Sequence, residues 1–561
     1  MQGEAAREEV CDVLVIGAGA GGMSAAITAA KAGLKVVIVE KAPVIGGTTA
    51  FSGGVLWIPG NAHCPEGDRA RARDYLKHES GNFFNAAAVD AFLAKGPEMV
   101  EFFERETKVK FVASLYPDYH PDLPGGADVG RSITAAPYDA AALGPDLARL
   151  RPPLSTITFI GMMFNSSNAD IRHFFNATKS LTSFLYVAKR LMAHGIELVR
   201  YGQGTKVTSG NALAARLAKS CFNSGVQIRT DCPARSLIVE DGRVTGARLP
   251  GEARIMARRG VVLAAGGFAQ DLERIGPTYP HLKRGGEHLS PVPMDNSGDG
   301  IALARSVGSK FETRYPAAAA WMPVSKVPDG TGGYSAFPHL LDRYKPGIIA
   351  VLRSGRRFTN ESNSYHDVGA AMIEACAGET ETACWLIADR PTIRKYGLGH
   401  AKPAPVPLGP WLRNGYLVSG RTLAELAQKA GIDPAGLEQS VARYNEGAVR
   451  GEDPDFHRGS TAFNRYLADP EVTPNPCVGP VRTGPYYALK LAMGDLGTFD
   501  GLETNVEGQV LDNEGAPIAG LFAVGNDRAS VMGGTYPGAG ITLGPAMTFG
   551  YITGRHLAGT G

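Results

Sequence analysis

A tyrosine hydroxyl can donate a hydrogen bond to a carbonyl, and once ionised it is a strong base, with an ordinary pKa near ~10. Three stretches of this sequence carry tyrosines in settings suited to such work. "GGTYPGAGITLG" (Gly533–Gly544) sets Tyr536 among small residues just before an apolar, helix-like run. "LYPDYHPDLPGGADVGRSI" (Leu115–Ile133) carries Tyr116 and Tyr119, with His120 next door. "GRRFTNESNSYHDVGAAM" (Gly355–Met372) carries Tyr365 at the start of a predicted helix. Taken singly, each tyrosine is explained as well by a core or surface position.

A second set of residues fixes the reagent. In "CDVLVIGAGAGGMSAAITAAKAGLKVVIVEK" a buried strand, Val13–Ile16, runs into Gly17, Gly19 and Gly22, with Ala20 and Gly21 between. A helix over Ser24–Ala32 and a second strand, Lys35–Val39, follow, ending at Glu40 and Lys41. Gly17 allows the tight turn, Gly19 lets backbone approach a pyrophosphate, and Gly22 lets helix and strand pack closely. The helix N-terminus receives phosphate charge, and Glu40 is placed for ribose hydroxyls. The simpler alternative is a glycine-rich turn with Glu40 merely solvated. The next segment, "KAPVIGGTTAFSGGVLWIPGN", brings Gly46, Gly47, Thr48, Thr49, Ser52, Gly53 and Gly54. Backbone and hydroxyl donors there suit a diphosphate, and Ser-Gly-Gly lets the chain pass flat against a ring system.

In these segments the sequence resembles the flavoprotein superfamily of fumarate reductase and succinate dehydrogenase. The resemblance implies FAD. Members with covalent flavin carry a histidine in this segment; none stands here, so FAD is expected to be held non-covalently. It also implies that backbone near Ala234 meets the adenine. "RRGVVLAAGGF" (Arg258–Phe268) reads as a buried strand ending at Ala265 and Gly266, and "GLFAVGND" (Gly520–Asp527) as another ending at Gly525 and Asn526. "CPARSLIVEDGRVTGARL" reads as a hairpin turning at Asp241-Gly242.

These elements predict an α/β chain: a Rossmann-like FAD-binding domain with an inserted α+β catalytic, or capping, domain. The expected boundaries are 1–308 and 493–561 for the FAD-binding domain and 309–492 for the insert. Within the insert, "GIIAVLRSGRRFTNES" reads as a hairpin, "RTLAELAQKAGI" as a helix, and "DPAGLEQSVARYNEGAV" as a second helix with an Asp-Pro start. "KSLTSFLYVAKRLMAHGIELVRY", after the apolar "LRPPLSTITFIGMMFN", has a helical period and is expected to be a core helix; the alternative is a surface helix resting on lipid.

The three tyrosine stretches together resemble the 3-ketosteroid Δ1-dehydrogenases, most specifically in the Tyr-Pro element leading into "TLGPAMTFGY". The dicarboxylate-clamping histidine of the fumarate-reductase branch has no counterpart in "LKLAMGDLGTFDGLETN". The resemblance implies that Tyr536 and the Gly540 amide hold the substrate's C3 carbonyl. Tyr365 takes the C2 proton, helped by a hydrogen bond from Tyr119, while the C1 hydride goes to flavin N5. Tyr116 lines the substrate site, and its place beside Tyr119 leaves the partner of Tyr365 open between the two. A helix starting at Thr542 and Leu543 points its N-terminus at the flavin pyrimidine. The expected substrate is a 3-ketosteroid, a class extending to cholest-4-en-3-one and others with a C17 side chain. A Δ4-(5α)-3-ketosteroid dehydrogenase or another ene-ketone reductase is the alternative within the superfamily; a non-catalytic flavin redox sensor is the alternative of another class.

The remaining composition excludes more than it assigns. A net charge of +2 on 561 residues gives no reason to expect nucleic acid. The seven cysteines form no C-x-x-C pair, so neither a zinc site nor a dithiol motif is expected, and their sparse, odd count suits a reducing compartment. No apolar signal core opens the chain, and no run reaches the ~18–20 apolar residues of a membrane span. A cytoplasmic protein is expected, peripheral on the membrane if the apolar helix meets lipid. A quinone is the expected electron acceptor, since no nicotinamide site accompanies the FAD motif.

Overall fold

The computed structural model describes residues 8–64, 68–163, 173–174, 177, 180–312 and 315–560. Parts of the apolar segment before residue 180, and the first seven residues, lie outside them.

The first strand, Glu8–Ile16, is parallel to Val36–Val39 on one side and to Arg254–Leu263 on the other. Gln227–Arg229 extends the sheet beyond Val36–Val39, and Pro517–Ala523 extends it beyond Arg254–Leu263. Strands buried on both faces read as continuous apolar runs, as "VLVI" and "VVIV" do. The hairpin Ser236–Glu240 and Arg243–Arg248, turning at Asp241-Gly242 as expected, joins this sheet antiparallel to Arg254–Leu263. Helix Ala20–Lys31 packs on the C-terminal helix Leu543–Ala558, where Gly550 and Gly554 let the two axes approach. The parallel strands all end toward one crevice, and Gly17, Glu40, Ala264 and Val524, the residues just after them, line it.

The insert is built on an antiparallel sheet. Its order is Tyr334–Pro338, Ala319–Pro328, Tyr486–Thr498, Ala383–Asp389, Ile348–Val351. A boundary at 492 would cut the long strand Tyr486–Thr498, which stays paired to Ala319 through Thr498. Helix Tyr365–Ala375 lies on this sheet: a Cβ at Gly369 would sit 2.7 Å from the Trp321 Cβ. The two predicted helices form as Leu423–Ala430, capped by Thr422, and Pro434–Ala448, capped by Asp433.

Two expectations need correction. "GIIAVLRSGRRFTNES" is not a full hairpin. Ile348–Val351 pairs with Ala383–Asp389, and the return contributes a single bridge, Val351 to Arg357, because the Arg357 side chain turns inward to Glu361 and Asp453. The helix Leu181–Tyr201 is not a core helix. Its buried residues are Ser183 and His194, whereas Leu181 is 74% exposed and Val199 91%. Apolar spacing alone marks a face without saying whether protein covers it. Among the described residues no helix is long and apolar enough to cross a membrane.

Candidate active site

A cavity of about 1530 Å³ runs from the glycine turn of the parallel sheet to the insert. Gly17, Gly19, Ala20, Gly21, Glu40, Lys41, Gly47, Thr48, Thr49, Ser52, Gly53 and Gly54 line one end, with Ala234, Ala265, Gly266, Gly525 and Asn526. Gly22 lies beneath the lining, where a Cβ would meet the Gly17 carbonyl oxygen at 2.2 Å; its task is packing. Gly17 itself has φ +114°, and a Cβ there would strike the Ala264 carbonyl oxygen, also at 2.2 Å.

The cradle fits a dinucleotide. Gly19 caps the first helix with no side-chain cap, and a Cβ on it would find protein no nearer than 3.9 Å. That open helix N-terminus suits a pyrophosphate. Glu40 accepts from the amides of Ala18 (2.8 Å) and Ala42 (2.9 Å), which fixes its carboxylate at the end of the second strand. Lys41 is tied to Ser297 and Asp299. Thr48 and Thr49 divide the work expected of both: Thr49 Oγ1 accepts from the Ala20 amide (3.0 Å) and Thr48 Oγ1 from Asn296 (2.9 Å). Buried Asp527 accepts from the amides of Ala265 (2.6 Å) and Gly267 (2.9 Å), so the Ala-Ala-Gly-Gly turn is pinned from behind.

The tyrosines meet at the domain junction. The Tyr119 hydroxyl donates to that of Tyr365 at 3.3 Å. The rings of Tyr119 and Tyr536 stack at 5.4 Å, and those of Tyr365 and Tyr536 meet edge-on at 5.1 Å. Tyr116 instead packs on Tyr466 at 4.5 Å, so Tyr119 is the phenol beside Tyr365. Phe463, 4.5 Å from the Tyr119 ring, and Tyr344, 5.8 Å from Phe463, complete the aromatic wall; neither has a sequence signal.

Each phenol is held by its element. Tyr365 opens its helix after the Ser364 cap, and the next residue, His366, accepts from the Trp321 amide at 3.1 Å. Burial holds His366 at about 4, so its Nδ1 is free to accept. Asp367 meets His120 at 3.0 Å, and His120 meets Glu79 at 2.5 Å, clamping the Tyr119 loop to the Tyr365 helix. Burial works against the imidazolium, but Asp367 and Glu79 outweigh it and raise His120 to about 11.

The Tyr536 loop is fixed by its carbonyls. Pro537 accepts from the Tyr75 hydroxyl (2.7 Å) and the Tyr119 amide (2.9 Å), Ala539 from Ser132 (2.8 Å), and Gly540 from the Trp57 amide (3.1 Å). In a trans peptide the N–H points opposite to the preceding C=O. With the Ala539 oxygen turned to Ser132, the Gly540 amide faces the other way, and among the described residues it donates to no protein acceptor. Gly540 has φ +98°, and a Cβ would lie 2.5 Å from the Val55 oxygen. The last helix, capped at Thr542 and starting at Leu543, opens onto the same cavity.

Burial pushes the Tyr365 hydroxyl well above the ordinary tyrosine range, and Tyr119 and Tyr536 add to the shift. Tyr119 is pushed up in the same way, and Tyr536 to about 12. The expected lowering of Tyr365 by Tyr119 is therefore absent from this arrangement. Burial disfavours the phenolate, and the neighbouring Tyr119 raises the Tyr365 hydroxyl further instead of lowering it.

A crevice at strand ends, an open helix N-terminus and a fixed acid make a dinucleotide site; the family model described as "FAD binding domain" matches residues 12–543. The chain belongs to the FAD binding domain family. It is an FAD-dependent dehydrogenase, and FAD is its cofactor. It is 44% identical to 4-oxocyclohex-2-ene-1-carboxylate 5-dehydrogenase of Sinomonas cyclohexanicum, over 98% of this chain and 94% of that protein. It is 36% identical to 3-oxosteroid 1-dehydrogenase of Mycolicibacterium smegmatis, over 98% of this chain and 97% of the relative. The solved 3-ketosteroid delta1-dehydrogenase of Sterolibacterium denitrificans, in complex with 1,4-androstadiene-3,17-dione, superposes with a TM-score of 0.88 at 35% identity, covering 99% of this chain and 100% of that one.

Proposed function

We propose that this dehydrogenase introduces a double bond beside the carbonyl of a six-membered ring ketone. The observation carrying this reading is the meeting of Tyr119, Tyr365 and Tyr536 in the cavity that holds the dinucleotide cradle. FAD, when bound, supplies the hydride acceptor. Tyr536 and the Gly540 amide donate to the ketone oxygen, and two such donors in a dry site stabilise the enolate that forms as the proton leaves. Tyr365 takes the proton from the carbon next to that carbonyl, and Tyr119 bonds to its hydroxyl. Tyr365 can accept only as the phenolate, so its own hydroxyl proton must first pass to solvent; the two donors on the ketone oxygen acidify the adjacent C–H and lower the base strength the step requires.

Among ring ketones, the 3-ketosteroids are the class read from the tyrosine motifs, with the C2 proton going to Tyr365 and the C1 hydrogen leaving as hydride. The relative at 36% identity and the structure at TM-score 0.88 support it. A second reading, a monocyclic keto acid, is favoured by the relative at 44% identity and by a lysine in the cavity lining, Lys402. Carbon 5 of that relative's named substrate adjoins its ketone, so both readings ask the same of Tyr365. The experiment is anaerobic mixing of the yellow protein with 4-androstene-3,17-dione and with 4-oxocyclohex-2-ene-1-carboxylate. Bleaching, and a product two hydrogens lighter than its substrate, are expected with one or both; no bleaching by any ring ketone overturns the proposal.

The proposal includes a quinone as electron acceptor and contact between the helix Leu181–Tyr201 and lipid. Phe184, Leu185, Met192 and Ile196 are exposed on that helix, which also carries Lys189, Arg190 and Arg200. Such a face suits an anionic bilayer. Flotation with anionic vesicles at low salt should carry the protein upward, and protein left at the bottom removes this part of the proposal.

A further inference from the structure

The cavity lining contains four basic side chains: Lys41, Arg151, Lys345 and Lys402. Three are committed. Lys41 meets Asp299, Arg151 meets Asp295 at 2.8 Å, and Lys345 donates to the carbonyls of Leu467 (2.6 Å) and Ala468 (3.1 Å). Lys402 differs. Among the described residues its ammonium makes no hydrogen bond and no ion pair, and its recorded contact is the Phe337 ring, 5.8 Å from Nζ.

Its backbone is fixed nonetheless. Leu398 and Ala401 exchange amide bonds of 2.9 and 3.1 Å, the His400 amide donates to the Tyr416 hydroxyl at 2.8 Å, and the Gly399 amide to Asp342 at 2.8 Å. Asp342 is the nearby anion that could have served as partner. Its oxygens are already occupied by His339 Nδ1 (2.8 Å), the Gly399 amide and the Arg343 amide (3.1 Å), and no ion pair reaches Lys402. Burial depresses the Lys402 ammonium, and Asp342 offsets this in part. Burial also opposes the Asp342 charge, but His339 and the Gly399 amide hold that carboxyl at about 2.

A half-buried cation over the Phe337 ring, in a cavity lined largely by apolar side chains, is ill matched to further hydrocarbon. Covering it with a steroid's apolar rings would remove its remaining water without giving it a partner. A carboxylate would supply a charge-assisted bond there. We infer that Lys402 is the specificity-determining residue of the substrate cavity, and that it receives a carboxylate carried by the ring ketone away from its carbonyl. This rests on the ring-ketone reading above and names the substrate class within it. Lys402 lines the same cavity as Tyr365 and Tyr536 and, among the described residues, makes no hydrogen bond or ring contact with either, so it acts on binding and not on bond breaking.

The test uses the FAD-loaded enzyme, its Lys402→Met and Lys402→Arg variants, and the probes 4-oxocyclohex-2-ene-1-carboxylate, its methyl ester and 4-androstene-3,17-dione. The wild type should prefer the acid to both uncharged ketones. Lys402→Met should raise KM for the acid about a hundredfold, the range for leaving one member of a buried charged pair alone. The loss should fall on KM more than on kcat, and Lys402→Arg should restore most of it. Cyclohexanecarboxylate, which has no ketone to oxidise, should perturb the flavin spectrum of the wild type and of Lys402→Arg, and not that of Lys402→Met. An acid-to-ester ratio unchanged in Lys402→Met overturns the inference, as does a wild type that prefers the steroid; both leave the ring-ketone reading standing. No bleaching by any of the three ketones overturns the two together.

Discussion

Tyr365 is the proposed base, and burial sets its hydroxyl well above the ordinary tyrosine range, so removing that hydroxyl is a sharp test. Tyr365→Phe should fold, keep its yellow colour and lose turnover by several orders of magnitude in stopped-flow bleaching. Retention of more than about a tenth of the rate, a barrier change of ~1.4 kcal/mol or less, would remove it from the base role. Tyr536→Phe should cost about 10²–10³ in kcat and weaken substrate binding as well, since one of two carbonyl donors is lost. If steroid and keto-acid kinetics are unchanged while the flavin spectrum moves, Tyr536 is a flavin-packing residue. These phenols were legible because each sits in a stretch with its own signature. Phe463, Tyr344 and Lys402 were not: they stand in stretches far apart in the chain, and only the folded insert brings Phe463 against Tyr344 and puts Lys402 in the lining of the same cavity. Likewise, the sequence could propose either Tyr116 or Tyr119 as the partner of Tyr365; ring packing on Tyr466 separates them.

The loop Pro537–Gly540 is useful only while its carbonyls stay tied back. Gly540→Ala forces a side chain into left-handed backbone, a strain of about 1–3 kcal/mol, and drives its Cβ against Val55. A lowered Tm and loss of turnover are expected, and a variant melting and turning over like the wild type would show that the loop can yield. The Glu79–His120–Asp367 clamp gives a pH signature. The folded His120 pKa is raised to about 11 from an ordinary 6.5, so its stabilisation is complete below about 6.5 and disappears as pH rises toward 11. In thermal melts, the Tm gap between wild type and His120→Gln should be widest near pH 6 and narrow steadily by pH 10; a constant gap would mean that His120 works by packing. Elements with two-residue turns or Thr and Asp caps were readable from sequence. The Leu181–Tyr201 helix was readable as a helix and misjudged in its surroundings, since a periodic apolar face looks the same under protein or exposed.

Across the whole molecule, the glycine turn, the paired buried strands and the long insertion were visible because a parallel sheet writes uninterrupted apolar runs into the chain. The insert's edge was not, since Tyr486–Thr498 continues without a break from one sheet toward the flavin cradle. FAD should be released completely into the supernatant on acid precipitation, because among the described residues no histidine lines the cavity; colour kept in the pellet would reveal a covalent bond. The strand order carries one more consequence. Arg254–Leu263 is flanked by residues 8–16 and by residues 517–523, so the dinucleotide sheet joins the two extremes of the sequence. During synthesis, the hairpin covers Arg254–Met256 at once, but Val261–Leu263 must wait unpaired while about 250 more residues emerge. Such long-range pairing is slow to form and exposes a template for other chains meanwhile. The supply of flavin therefore bears on yield as well as on activity: a ligand that binds only the closed crevice draws late chains into the finished sheet, and starved cells should leave this protein in aggregates.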